Sequence, residues 1–185
     1  MLLDITLQVT PQMRHDAPEK DNRALVGHLG THFDVMDKEF PLDYTRREGI
    51  VIDVSHVQGR DIEASDVPME LVKAGQFVAF YTGYIDREPY GTKTYFSQHP
   101  QLSHSLIDAL LEKNISILGI DCSGIRRGKE HTPKDQLCAD KGVFVVENLC
   151  NLDAVVAAGG QFIAHTYPVN YSGMTGLPCR VIAEV

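Results

Sequence analysis

No stretch of this 185-residue chain approaches the run of about 20 apolar residues that a bilayer-spanning helix needs. The opening Met1-Leu2-Leu3-Asp4-Ile5-Thr6-Leu7 has no basic start, and Asp4 interrupts its apolar run, which argues against a secretory signal. Cysteine is sparse: Cys122, Cys138, Cys150 and Cys179 are scattered and form no Cys-x-x-Cys. In a chain without a secretory signal they read as reduced, mostly buried thiols of a cytoplasmic protein. Basic residues are also few, 17 Lys and Arg against 25 Asp and Glu, for a net charge of −8. That balance excludes a polyanion such as nucleic acid as the natural partner. The basic clusters, Arg46-Arg47 and Arg126-Arg127-Gly128-Lys129, are short and read as solvated loops. There is no internal repeat, low-complexity tract or linker.

What remains is the composition of a globular protein, 43% hydrophobic and 23% charged, long enough for one substantial core. We expect a single domain over residues 1–185, with no membrane and no nucleic acid among its partners. Buried strands are expected at 49–54, 76–81, 115–120 and 143–146, with two more at 161–166 and 179–185. Helices are expected from near Ser65 and Asp66, with Pro68 tolerated in the first turn, from Ser103 or Ser105 to Lys113, and from Asn151 to Ala158. The run from Cys122 to Lys134 is polar, contains glycine and shows no periodicity, so it reads as a loop. The alternation implies a mixed α/β domain with polar groups such as Asp121 and Glu147 at strand ends, where open sheets place ligands.

The densest chemistry lies in His28-Leu29-Gly30-Thr31-His32-Phe33-Asp34. On one helix the two histidines would share a face but Asp34 would not, and Gly30 would weaken that helix. In an extended segment His32 and Asp34 project to the same side. A turn at Gly30, free to take positive φ, then swings His28 back toward them. Two nitrogens and a carboxylate from one short segment leave coordination positions open, as catalytic rather than structural metal sites do. The set fits Zn, Mn or Fe(II). The competing reading is a pair of ordinary histidines with ordinary hydrogen bonds; His15, His56, His99, His104 and His165, which sit in no such motif, are read that way.

This segment resembles the His-x-Gly-Thr-His-x-Asp signature of the cyclase family of metal-dependent hydrolases, which includes bacterial kynurenine formamidase and isatin hydrolase. Further likenesses follow in the family's order: Phe80-Tyr81-Thr82-Gly83, Gly119-Ile120-Asp121, Val146-Glu147-Asn148-Leu149 with Asn151-Leu152, and Gly176-Leu177-Pro178-Cys179-Arg180-Val181-Ile182-Ala183. The resemblance implies a single-domain swivelling β/β/α fold, a homo-oligomer (dimer or tetramer), a divalent metal ion, Zn or Mn, and a small-molecule substrate.

Two positions depart from the family. Its signature continues Ala-Pro-x-His, the last residue being an acid/base or second-metal group, whereas here the chain reads Val35-Met36-Asp37-Lys38. The family's His twelve residues before its Glu is replaced by Asp135, with His131 close by. The expected ligands are therefore His28, His32 and Asp34, with Glu147 and Asp135 as further candidates. A metal there would lower the pKa of a bound water and polarise a carbonyl. Glu147 is expected to ligate or to carry the proton, or else to be a strand-end carboxylate in a salt bridge. Asp135 is alternatively an N-cap before Gln136. Lys38, beside Asp34, Asp37 and Glu39, is expected to stay charged, pairing with a carboxylate or anchoring an anionic substrate, which leaves Asp37 as an alternative base. The leading expectation is hydrolysis of a small amide, lactam, lactone or formamide. The alternatives are a family member that binds a metal or small ligand without hydrolysis, and a 2-His-1-carboxylate Fe(II) oxygenase.

Overall fold

The computed structural model describes residues 1–8 and 27–185; His15 lies outside them. Among these described residues there are eight strands: β1 Leu2–Asp4, β2 His32–Asp34, β3 Arg46–Asp53, β4 Phe77–Tyr81, β5 Ile117–Ile120, β6 Phe144–Glu147, β7 Gln161–Pro168 and β8 Gly176–Glu184. The α-helices among the described residues are α1 Tyr84–Arg87, α2 Lys93–Gln98, α3 His104–Glu112, α4 His131–Asp140 and α5 Leu152–Ala157. The strands follow the order β1-β8-β2-β6-β5-β4-β3-β7, and β7 also pairs with β8, so seven strands close a ring. β1 extends the ring along β8 beyond β2, pairing Leu2 with Glu184 while β2 pairs His32 with Pro178. Strands β3 to β6 are parallel, and β2, β7 and β8 join antiparallel.

Alternation along each strand divides the core in two, because successive side chains leave opposite faces. Phe33, Val51, Phe77, Ala79, Ile117, Phe144, Val146, Phe162, Ala164 and Val181 come from all seven ring strands and fill one cluster. Their neighbours Ile50, Ile52, Val78, Phe80, Leu118, Ile120 and Val145 face the other way, against Leu106, Ile107 and Leu110 of α3 and Cys138 of α4. The helices therefore cover the outer face of the parallel strands. β2 and β6 have Phe33 and Val146 paired on the inner face, so His32, Asp34 and Glu147 belong to the outer one.

The expected strands all form, with shifted ends, and α3 begins at the expected cap, where the Ser103 side chain accepts from Leu106 N. Three expectations are corrected. The segment after Ser65 is not a helix but two 3-10 turns, Ala64–Asp66 and Met69–Leu71, separated because Pro68 holds Val67 extended. The supposed loop 122–134 ends early: α4 starts at His131, with Pro133 accommodated in its first turn. Arg126 is not solvated but 7% exposed, bonded to Asp61, Glu130 and the Leu102 carbonyl. Among the described residues no helix is long and apolar enough to cross a membrane.

Candidate metal centre

The His28–Asp34 segment folds as its residue types dictate. Gly30 takes φ 71°, a left-handed conformation that is free only to glycine, and β2 then runs straight through His32–Asp34. The turn returns His28 over the strand, where its ring meets Gly176 at the start of β8; a Cβ there would lie 2.8 Å from His28 Cδ2. The result is convergence. His28 Nδ1 lies 3.0 Å from both His32 Nε2 and Asp34 Oδ1, and His32 Nε2 lies 3.5 Å from that same oxygen.

The outer ring nitrogens allow both inner nitrogens to present lone pairs when the rings are neutral. His32 Nδ1 bonds the Gly30 carbonyl at 3.0 Å; a carbonyl can only accept, so Nδ1 holds the hydrogen and Nε2 presents a lone pair. His28 Nε2 meets Thr175 Oγ1 at 2.8 Å, which allows His28 the same arrangement. Two lone pairs and a carboxylate oxygen then face one another, an arrangement that calls for a cation.

Glu147 stands directly across from His32 in the β2–β6 ladder, so the two side chains share a face and His32 Nε2 lies 3.6 Å from Glu147 Oε2. Helix α4 packs over the same face and adds His131 and Asp135, one turn apart. His131 Nε2 is 3.0 Å from Glu147 Oε1 and 3.1 Å from Asp135 Oδ2. Two groups of candidate ligands result, His28–His32–Asp34 and Asp34–His131–Asp135–Glu147, the ligand atoms within each lying within 4.8 Å of one another. Asp34 belongs to both.

All three carboxylates are buried, Asp34 at 1%, Asp135 at 2% and Glu147 at 3% exposure. Asp34 Oδ2 and Asp135 Oδ1 have no hydrogen-bond partner among the described residues, and Glu147 Oε1, though in contact with His131, makes no hydrogen bond. Buried anionic oxygens left this way are costly unless a cation neutralises them. The titration behaviour has the same cause. Burial opposes the charged form of His32, but the Asp34 and Glu147 carboxylates outweigh it and raise its pKa to about 9. His131, likewise desolvated, is raised to about 10 by Glu147, Asp135 and Asp34. Burial, with Asp34 and Glu147 adding to it, drives Asp135 far above the usual carboxylate range. A centre that binds protons this strongly has the donors and the excess negative charge to hold a divalent cation, and the residues fit one.

Of the sequence candidates, His28, His32, Asp34, Asp135 and Glu147 are brought together. Asp135 lies inside α4, which overturns its reading as an N-cap. Lys38 and Asp37 are not brought in. Lys38 Nζ pairs at the surface with Asp37 and, at 2.8 Å, with Asp140 at the far end of α4; Asp37 also accepts from Gln136. His131 is the residue that sequence reasoning left marginal, although its i, i+4 spacing to Asp135 would have flagged it had the helix been recognised.

A family model described as "Putative cyclase" matches residues 3–126. Solved structures share the fold across nearly the whole chain. A potential metal-dependent hydrolase with cyclase activity is 22% identical, covering 99% of this chain and 96% of its own at a TM-score of 0.77. An isatin hydrolase bound to the product analogue thioisatinate is 20% identical, covering 100% and 92% at 0.73. Isatin hydrolase A from Labrenzia aggregata, bound to benzyl benzoate, is 17% identical, covering 99% and 93% at 0.72. No curated protein matches the chain.

Proposed function

The chain belongs to the cyclase family, and from that membership and the geometry of the centre we propose that it is a metal-dependent hydrolase of a small amide, lactam, lactone or formamide. The observation that carries this reading is the convergence of His28 Nδ1, His32 Nε2 and Asp34 Oδ1 within 3.5 Å of one another. A divalent cation held there, Zn or Mn, supplies Lewis acidity, acidifying water and polarising a carbonyl. The remaining work falls to the chain. Glu147 Oε1 accepts the proton of the attacking water and returns it to the leaving nitrogen or oxygen as the carbonyl–heteroatom bond breaks. One nitrogen of His131, Nε2, lies 3.0 Å from that oxygen and 3.1 Å from Asp135 Oδ2, so its ring stands between the two carboxylates. Burial of all three carboxylates strengthens each of these interactions. The same reading takes the chain as one domain and as a cytoplasmic homo-oligomer.

Metal analysis of the purified protein together with His32→Ala tests the proposal. We expect stoichiometric divalent metal in the parent chain and its loss, with at least a 100-fold fall in turnover, in the variant. Metal-free protein with undiminished turnover would rule the mechanism out. A second reading, binding of a metal or small ligand without hydrolysis, is favoured by Lys38 and Asp135 standing where the family has histidine. Metal uptake with no turnover over a panel of amides, lactams, lactones and formamides distinguishes it.

A further inference from the structure

Behind the metal centre runs a directed chain of hydrogen bonds that begins on a buried tyrosine of α2. Tyr95 is fully buried, packed edge-on against Tyr90, at 5.3 Å between ring centroids, and against Phe96 at 5.4 Å. Its hydroxyl donates to Asn148 Oδ1 at 2.8 Å. Asn148 Nδ2 donates to the Gly30 carbonyl at 2.9 Å, and that carbonyl is the group that accepts from His32 Nδ1 at 3.0 Å.

The directions are fixed from the Gly30 end. Its carbonyl can only accept, so the Asn148 NH₂ end faces it and Oδ1 is left to accept. Burial holds the Tyr95 phenol far above its usual pKa, so it keeps the proton that it donates to Oδ1. The backbone secures the same residue. Asn148 sits at φ 58° immediately after Glu147 and is 1% exposed. Its N–H donates to the Cys122 carbonyl and its own carbonyl accepts from Thr31 Oγ1 at 2.8 Å. All four polar groups of Asn148 are engaged, and two of the partners lie in the His28–Asp34 segment.

Resting on the metal-centre reading above, we propose that Tyr95 is a positioning residue of that centre, acting in series through Asn148 and the Gly30 carbonyl on the tautomer and orientation of His32. Outer-shell partners of this kind orient metal-binding imidazoles and typically account for about 10- to 100-fold in metal affinity. Without the hydroxyl, Asn148 Oδ1 is buried with no donor and the amide is held only through its Nδ2–H to Gly30. The amide is then free to shift, and the Gly30 carbonyl that anchors His32 Nδ1 shifts with it. Neither Tyr95 nor Asn148 is among the candidate ligands.

The test measures Zn²⁺ and Mn²⁺ affinity of the full chain by competition with a chromophoric chelator. The comparison covers the parent, Tyr95→Phe, Asn148→Ala, the double variant, and Leu110→Ala as a destabilised control in the core beneath α3. We expect Tyr95→Phe to weaken binding about 10-fold or more and Leu110→Ala to leave it unchanged. The double variant should bind no more weakly than Asn148→Ala alone, because links in series fail only once. Cobalt-substituted Tyr95→Phe should also show a shifted visible spectrum, reporting an altered ligand field that lost packing does not produce. Parent-like affinity in Tyr95→Phe, or multiplied losses in the double variant, overturns the positioning role while leaving the metal centre standing. A parent chain that takes up neither cation overturns both.

Discussion

At Asp34 one carboxylate serves two sets of side chains. Oδ1 meets the imidazoles of His28 and His32, Oδ2 has no hydrogen-bond partner among the described residues, and the residue also belongs to the group completed by His131, Asp135 and Glu147. Charge at this point is determined by burial, since none of the three carboxylates is screened by solvent. Lys38 shows the opposite situation. Its ammonium is divided between Asp37 and Asp140 at the surface, where ion pairs contribute little. Lys38→Ala should therefore leave turnover and metal content within about 2-fold of the parent, measured on whichever substrate the panel identifies. A loss of about 10-fold or more would return Lys38 to the centre. The His28, His32 and Asp34 cluster was legible because all three ligands lie in seven consecutive residues and the local backbone alone brings them together. Lys38 pairs with carboxylates, one of the two readings the sequence left open; the choice was not legible because only the path of the chain after β2, turning at Met36 with φ 56°, decides which way it points.

Strands and helices differ in how plainly the sequence announces them. β4, β5 and β6 read correctly because strands buried on both faces are uninterrupted apolar runs. The first turn of helix α4 was read as loop for a physical reason: the helix's buried residues are Asp135, Cys138 and Ala139, so no apolar stripe marks where it begins. The face that would identify a core helix here faces the metal centre instead. The ends of the parallel strands carry a second buried carboxylate with a different consequence. Asp121, at the exit of β5, is fully buried and accepts from Thr82 N at 3.0 Å, Thr82 Oγ1 at 2.5 Å and Gly83 N at 2.7 Å. Burial still dominates those three bonds and raises its pKa from 3.8 to about 6. The folded state thus retains a proton that the unfolded chain releases from about pH 4 upward. This group's contribution to stability is complete below that point and is lost as pH rises toward 6. Asp121→Asn does not titrate, and its amide can accept the two backbone N–H groups and donate to the Thr82 hydroxyl. Relative to the parent, the variant should gain on the order of 2–3 kcal/mol between pH 4 and pH 7. Urea unfolding at both values measures this, and parallel pH dependences in the two proteins would contradict it.

For the molecule as a whole, the closed ring joins distant parts of the chain at one place. β2 is held between β8 and β6, and α4 lies across the junction, so the candidate ligands come from 28–34 and from 131–147. The pairing of β7 with β8 that completes the ring was not legible in the sequence, since register between strands depends on partners far along the chain. This construction ties global stability to the charge of the centre. Folding brings Asp34, Asp135 and Glu147 together out of water and leaves oxygens that have no hydrogen-bond partner among the described residues, a cost that the unfolded chain does not bear. A cation that binds only the folded state recovers it, adding about 2.7 kcal/mol at a hundredfold excess over its dissociation constant. For a chain of this length that corresponds to a rise in Tm of roughly 5–10 °C. Thermal unfolding with saturating Zn²⁺ or Mn²⁺ against chelator-treated protein should show that shift, and His32→Ala should abolish most of it. An identical Tm with and without cation would mean that the buried carboxylates are neutralised by protons alone, and that the ring holds an acidic cluster rather than a metal centre.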